Sequence, residues 1–155
     1  GQTIDLASST DNEFYITGIQ LEVGSQATPF EHRSFGEELL LCQRYYYQTE
    51  YHDSQMTYLG TGGVYTNTLA MLILQLPVEM RVRPSSISQS GTAGDYTVWG
   101  NASTTACSAV PAIRASGSKK TCSIDMTFNT LNSATGTYVY RIKNSGAYIG
   151  VSAEL

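Results

Sequence analysis

Residues Phe14 to Tyr47 read FYITGIQLEVGSQATPFEHRSFGEELLLCQRYYY. The hydrophobic period changes twice along this stretch, and those changes decide the fold. Over Phe14–Val23, Phe14 and Ile16 point one way and Tyr15, Thr17, Ile19 and Leu21 the other, which is the two-residue repeat of a strand. Gly24 to Pro29 is a turn, with Pro29 forcing Thr28 into an extended conformation. Ser34–Arg44 then reads as the one helix of the chain. Ser34 and Glu37 have capping-box spacing. Glu37 and Glu38 in the first turn and Arg44 in the last match the helix dipole. Leu39, Leu40 and Cys42, with Phe35 behind, form an apolar stripe. About three turns of helix are unstable in isolation. The stripe therefore either closes one end of a sandwich core or packs near a symmetry axis against its own copies.

From Tyr45 onward the pattern is all strand. Strands are expected over Tyr45–Tyr51, Thr68–Leu76, Ser86–Ser90, Tyr96–Trp99, Ala109–Ala115, Cys122–Phe128, Thr137–Lys143 and Tyr148–Ser152. Turn clusters separate them: GTGG at 60–63, SGTAGD at 90–95, GNAS at 100–103, SGSKK at 116–120, NSATG at 132–136 and NSG at 144–146. Short strands between Gly, Ser and Asn turns predict a mainly β fold, an antiparallel β-sandwich or jelly roll with one short helix near its N-terminal end. The run LAMLILQL (Leu69–Leu76) does not alternate. It predicts a strand buried on both faces, either central or with its outer face against a neighbouring subunit.

At 155 residues the chain is long enough for one domain with a proper core. Charged residues make up only 14%, and there are 11 Tyr against 4 Phe and 1 Trp. Tyrosine suits half-buried strands and interfaces, having an apolar ring and a polar tip. Net charge is −4, and Lys119-Lys120 is the only basic cluster. Nucleic acid is therefore not an expected partner. No apolar run approaches the ~20 residues needed to span a bilayer. The first residues have neither a basic start nor an apolar signal core. The missing initiator Met reads as a piece of something longer.

Nothing in the sequence predicts catalysis. A nucleophile elbow, a P-loop, HExxH and a dinucleotide fingerprint are all missing. His32 and His52 are too few and too dispersed for a metal cluster, so no metal and no cofactor are expected. His52-Asp53 reads as a surface turn. The 13 acidic residues offer carboxylate pairs only as any β-protein would. Cys42, Cys107 and Cys122 form no CxxC pair. They are free thiols, unless Cys107 and Cys122 meet on neighbouring strands. Sugar binding has more to recommend it. The stretch DYTVWGN supplies Asp95, Tyr96, Trp99 and Asn101, and Tyr58 and Tyr65 flank YLGTGGVY. Loops at 57–66 and 89–104 are thus the places for outward recognition, unless these aromatics are core or subunit contacts.

The segment TGIQLEVGSQATPFEHRSFGEEL followed by LCQRYYY resembles one that recurs in tailed-bacteriophage tail fibre and tail structural proteins. The match covers Gln20-Leu21-Glu22, Gly24, Ala27 to Glu31, Glu37 to Leu39 and Cys42 to Tyr46. PVEMRVRPSSI (Pro77–Ile87) and the ending Ser152-Ala153-Glu154-Leu155 also resemble features of those proteins, whereas roughly 89–136 does not. The resemblance implies the carboxy-terminal domain of a tail fibre. Residues 1–31 would be an arm and strand left from an upstream carbohydrate-binding-like module, and 32–155 the β-sandwich domain. It further implies a homotrimer at the distal tip of the virion tail, extracellular when it acts on the host. Phe35, Leu39 and Cys42 would line the trimer interface. The expected partners are two further copies, the upstream fibre, and a host-surface glycan or protein. The resemblance carries over no catalytic residue. A purely structural trimerisation domain and a polysaccharide-degrading tail enzyme are the alternatives.

Overall fold

Alternating apolar and polar side chains, interrupted by Gly, Ser and Asn turns, produce the strands of this chain. A computed structural model describes residues 15–52, 56–100, 103–131 and 136–154. The chain divides into two compact units, Gly1–Ser34 and Phe35–Leu155. The second unit opens with helix α1 (Phe35–Gln43). The strands are β1 (Tyr46–Glu50), β2 (Thr57–Thr66), β3 (Leu69–Gln75), β4 (Ser86–Gln89), β5 (Tyr96–Gly100), β6 (Ser103–Ala106), β7 (Ala112–Gly117), β8 (Thr121–Thr127), β9 (Thr137–Ile142) and β10 (Tyr148–Ser152). A single 3-10 turn, Ala93–Asp95, leads into β5. The fold is mainly β, with antiparallel sheets and one short helix among the described residues.

The strands form two sheets, ordered β1-β10-β4 and β6-β5-β9-β2-β3-β8-β7. The larger sheet curls. Cys107 N–H donates to Tyr96 C=O at 2.9 Å, and the next amide, Ser108 N–H, donates to Thr127 C=O at 2.8 Å. In a flat sheet β5 and β8, four positions apart, would be separated by roughly 19 Å. Two consecutive residues span only about 3.8 Å, so the sheet must bend to bring its β5 and β8 ends together. Its concave side holds Leu72, Ile124, Met126, Tyr138 and Tyr140. Ile149 and Val151 of the smaller sheet join the same buried cluster.

The run LAMLILQL is the internal strand β3, between β2 and β8. Ala70, Leu72 and Leu74 point into the core, while Leu69, Met71 and Ile73 on the other side are only half-buried. The expected burial thus holds for one face.

Three other expectations need correction. First, GTGG is not a turn: β2 runs through 60–63. Gly60 has φ +145° at a bulge in the β2–β9 register. A Cβ on Gly62 would overlap the Met71 carbonyl and come within 3.0 Å of the Tyr140 ring. Gly62 is there for close approach across the sheet. Second, residues 15–23 form no strand, and Phe14 lies outside the described residues. In this unit the Glu22 carboxylate accepts hydrogen bonds from the Thr28 amide and hydroxyl, and Glu31 N–H donates to Gln20 Oε1 at 2.8 Å. The Thr28 bonds hold the Glu22 pKa below its usual value. Local side-chain bonding, rather than a ladder, thus shapes residues 20–31. Third, α1 has no buried residue, and Arg44 lies just past its end. The helix does not close the core.

Cys42, Cys107 and Cys122 are free, and the last two are buried. Cys122 lies near the start of β8, whereas residue 108 meets the far end of that strand. Cys107 and Cys122 therefore have no cross-strand pairing.

Gly62→Ala should cost at least about 2 kcal/mol, because the clash involves backbone as well as a ring. That lowers Tm by roughly 4–8 °C in a domain of this size. Gly63→Ala, where a Cβ would meet nothing within 4 Å, should leave Tm within a degree or two by about the surface-substitution norm. Thermal denaturation of the two variants side by side checks the assignment of β2.

Candidate functional site

The convex face of the larger sheet carries exposed Tyr58 and Trp99. Strand β9 sets its geometry. Tyr138, Tyr140 and Ile142 point into the core, so Val139 and Arg141 point outward. The register then builds two rows on that face. In one, Tyr58 of β2, Arg141 of β9, Thr97 of β5 and Ala106 of β6 are successive cross-strand partners. In the next, Val139 is paired with Trp99, and Trp99 with Thr104. Trp99 is 48% exposed and Tyr58 67%. Two strands and two residues separate them, a Cα distance of roughly 12 Å.

Between these aromatics lies a buried polar pair. Arg141 is 7% exposed and Thr97 1%. Arg141 Nη2 donates to Thr104 Oγ1 at 2.7 Å. Arg141 Nε and Thr97 Oγ1 are buried without a hydrogen-bond partner. Among the described residues no carboxylate pairs with Arg141. Sequence reading placed Arg141 on a strand but gave it no role. Its prominence depends on the β9–β5 register, which one sequence does not disclose.

The other residues expected at the site go elsewhere. Tyr65 is exposed but stands over the Arg114 guanidinium, 4.8 Å from ring centroid to Cζ. Arg114 Nε donates to Asp125 Oδ1 at 2.7 Å, which raises the Arg114 pKa. Tyr65 therefore belongs to a charge-balanced cluster toward β7 and β8. Asp95 and Tyr96 are buried. Asp95 accepts from Ser90 Oγ at 2.8 Å and Asn144 Nδ2 at 2.7 Å. Tyr96 Oη accepts from Ser90 N–H at 2.9 Å and donates to Tyr148 C=O at 2.6 Å. Burial raises the Tyr96 pKa, and the Ser90 bonds partly oppose that. The two side chains pin the 89–95 turn to the 144–148 segment and are not open to a ligand. Asn101 lies outside the described residues. Of the expected recognition loops, 57–66 is the strand β2, while 89–104 contains the 3-10 turn and β5.

Two open clefts flank this architecture. One, of about 320 Å³, lies beside Tyr58 and is also lined by Tyr47, Thr49, Thr61 and Ile73. The other, of about 360 Å³, runs under α1 between Leu40, Leu41 and Met80, with Arg44, Arg81 and Lys119 around it. Arg81 is held over the Tyr45 ring at 5.8 Å. On α1 itself Phe35, Leu39 and Cys42 are all exposed. Burial pushes the Cys107 thiol up to about 12 and Cys122 to about 11, so both are protonated at neutral pH. Among the described residues no group of three His, Cys, Asp or Glu could hold a metal ion.

No protein-family model matches the chain, and no curated protein or solved structure matches it either. Tyr96→Phe removes a hydroxyl bonded to Ser90 and Tyr148 and should cost about 1–3 kcal/mol of stability. Denaturant unfolding measures that loss, and surface binding by the folded variant should match the parent.

Proposed function

We propose that this chain is a receptor-binding tip domain of a tailed-phage tail fibre. It works as a homotrimer of jelly-roll-type β-sandwich subunits and binds a host-surface glycan without turning it over. The observation that carries the reading is the pair of exposed aromatics, Tyr58 and Trp99, flanking a polar row on a rigid strand face. Aromatic faces stack on sugar rings, while hydroxyl and guanidinium groups take the sugar's oxygens. The resemblance of residues 17–47 to tail fibre segments supplies the biological setting: virion tail, upstream fibre as covalent neighbour, host surface as target.

The trimer is supported by α1. Its nine residues are too few to be stable alone, yet Phe35, Leu39, Leu40 and Leu41 are exposed. Copies of the chain would cover that stripe around a three-fold axis. Three weak sugar sites on one tip would then act together through avidity. The same uncovered stripe also favours a second reading, in which the domain only trimerises and recognition lies elsewhere in the fibre.

Binding of the labelled chain to a panel of bacterial strains separates the two. Under the receptor-binding reading, Tyr58→Ala and Trp99→Ala each weaken cell binding at least about tenfold, within the range seen for aromatic anchors, at unchanged Tm. Cell binding that survives both changes leaves the trimerisation role. Release of reducing ends from the bound surface polysaccharide would contradict both.

A further inference from the structure

Arg141 is the least explained charge in the domain. Its strand fixes it on the convex face, and its Nη2 reaches Thr104 on β6. Strand β5 lies between β9 and β6. The side chain must therefore cross over β5 at its cross-strand partner Thr97, which accounts for the near-complete burial of that threonine. The result is a cation lying flat on the sheet, more than nine-tenths buried. Its Nε and the Thr97 hydroxyl beneath it both lack a partner. A buried guanidinium without a counter-ion is costly, and a buried unsatisfied hydroxyl adds to the cost. Such groups call for an acceptor that the described residues do not supply.

The surroundings indicate which acceptor. Tyr58 is the cross-strand neighbour of Arg141 on one side. Trp99 is two residues from Thr97 on the same face. A sugar ring stacked on either aromatic would bring its substituents to the guanidinium. The geometry points to a site for a carboxylate-bearing sugar, a uronic or sialic acid residue, held by Arg141 and Thr97 between Tyr58 and Trp99. This rests on the glycan-binding reading above and narrows it. The planar guanidinium matches a carboxylate's two oxygens. One unpaired cation balances one carboxylate, whereas a phosphate near −2 would stay half-neutralised. Arg141 Nε and Thr97 Oγ1 are covered in the free chain, so an arriving ligand moves surface side chains aside. Trp99, the sole tryptophan, reports that movement.

The test is a fluorescence titration of the full chain with uronic- and sialic-acid oligosaccharides, using carboxyl-reduced forms of the same glycans as the neutral arm. Acidic forms should shift Trp99 emission and bind at least about tenfold more tightly than their reduced counterparts, a gap typical of one lost charge-assisted pair. Arg141→Met should abolish that preference. Thr97→Val should raise Tm, because it removes an unsatisfied hydroxyl, and should weaken the acidic glycan only. If Arg141→Met does not fold, Thr104→Val at an exposed position frees the guanidinium and should shrink the preference. Equal binding of acidic and reduced glycans would overturn the acidic-sugar site while leaving glycan recognition intact. A Tm lowered by Thr97→Val would also overturn it, since the hydroxyl would then have a partner. Binding of no glycan in either arm overturns both readings.

Discussion

The rings of Tyr138 and Tyr140 fit the core because the strands beside them carry no side chain where the rings lie. A Cβ on Gly100 would come within 2.5 Å of the Tyr138 ring, and one on Gly62 within 3.0 Å of Tyr140. Large aromatic rings supply much of the burial that a curled sheet needs. Their packing fixes β9 in register with β2 and β5, because a one-residue slip would turn both rings to solvent. The same register turns Val139 and Arg141 outward. The outward placement of Tyr58, Arg141 and Trp99 is thus a consequence of the core. Side chains mounted on packed strands are also held more closely than side chains on loops.

That dependence explains what the sequence discloses and what it hides. Eight strands are legible from short strand-length runs between turn clusters, and Tyr148–Ser152 is read to the residue. β2 is missed because its glycines mimic turn chemistry; the need for Gly62 appears only when Tyr140 is packed against it. The DYTVWGN stretch has the composition of a sugar site, but a strand sends Tyr96 and Trp99 to opposite faces. The two-residue period alone separates them, and it leaves Trp99 outside with Tyr96 in the core. Asp95 goes inside because two donors, Ser90 and Asn144, meet it there. These pairings cross up to 49 residues of chain, beyond the reach of local pattern.

Segments that pattern reads well can still stay outside a sheet ladder or a core. Residues 15–23 alternate like a strand yet pair with nothing in a ladder, and Leu21 and Val23 are fully exposed. Helix α1 has the acidic first turn that its sequence predicts, yet buries none of its leucines. Local propensity sets the conformation of such segments, and packing supplies most of their stability. A 155-residue chain that is only 14% charged and leaves these side chains uncovered has surface suited to contact with other chains.

The proposed trimer would present three copies of the Tyr58–Arg141–Trp99 face. Light scattering of the purified chain tests it. A trimer has a mass of three times the 16.8 kDa chain. A single-chain mass across the micromolar range would contradict it, leaving α1 without the partner its exposed stripe requires.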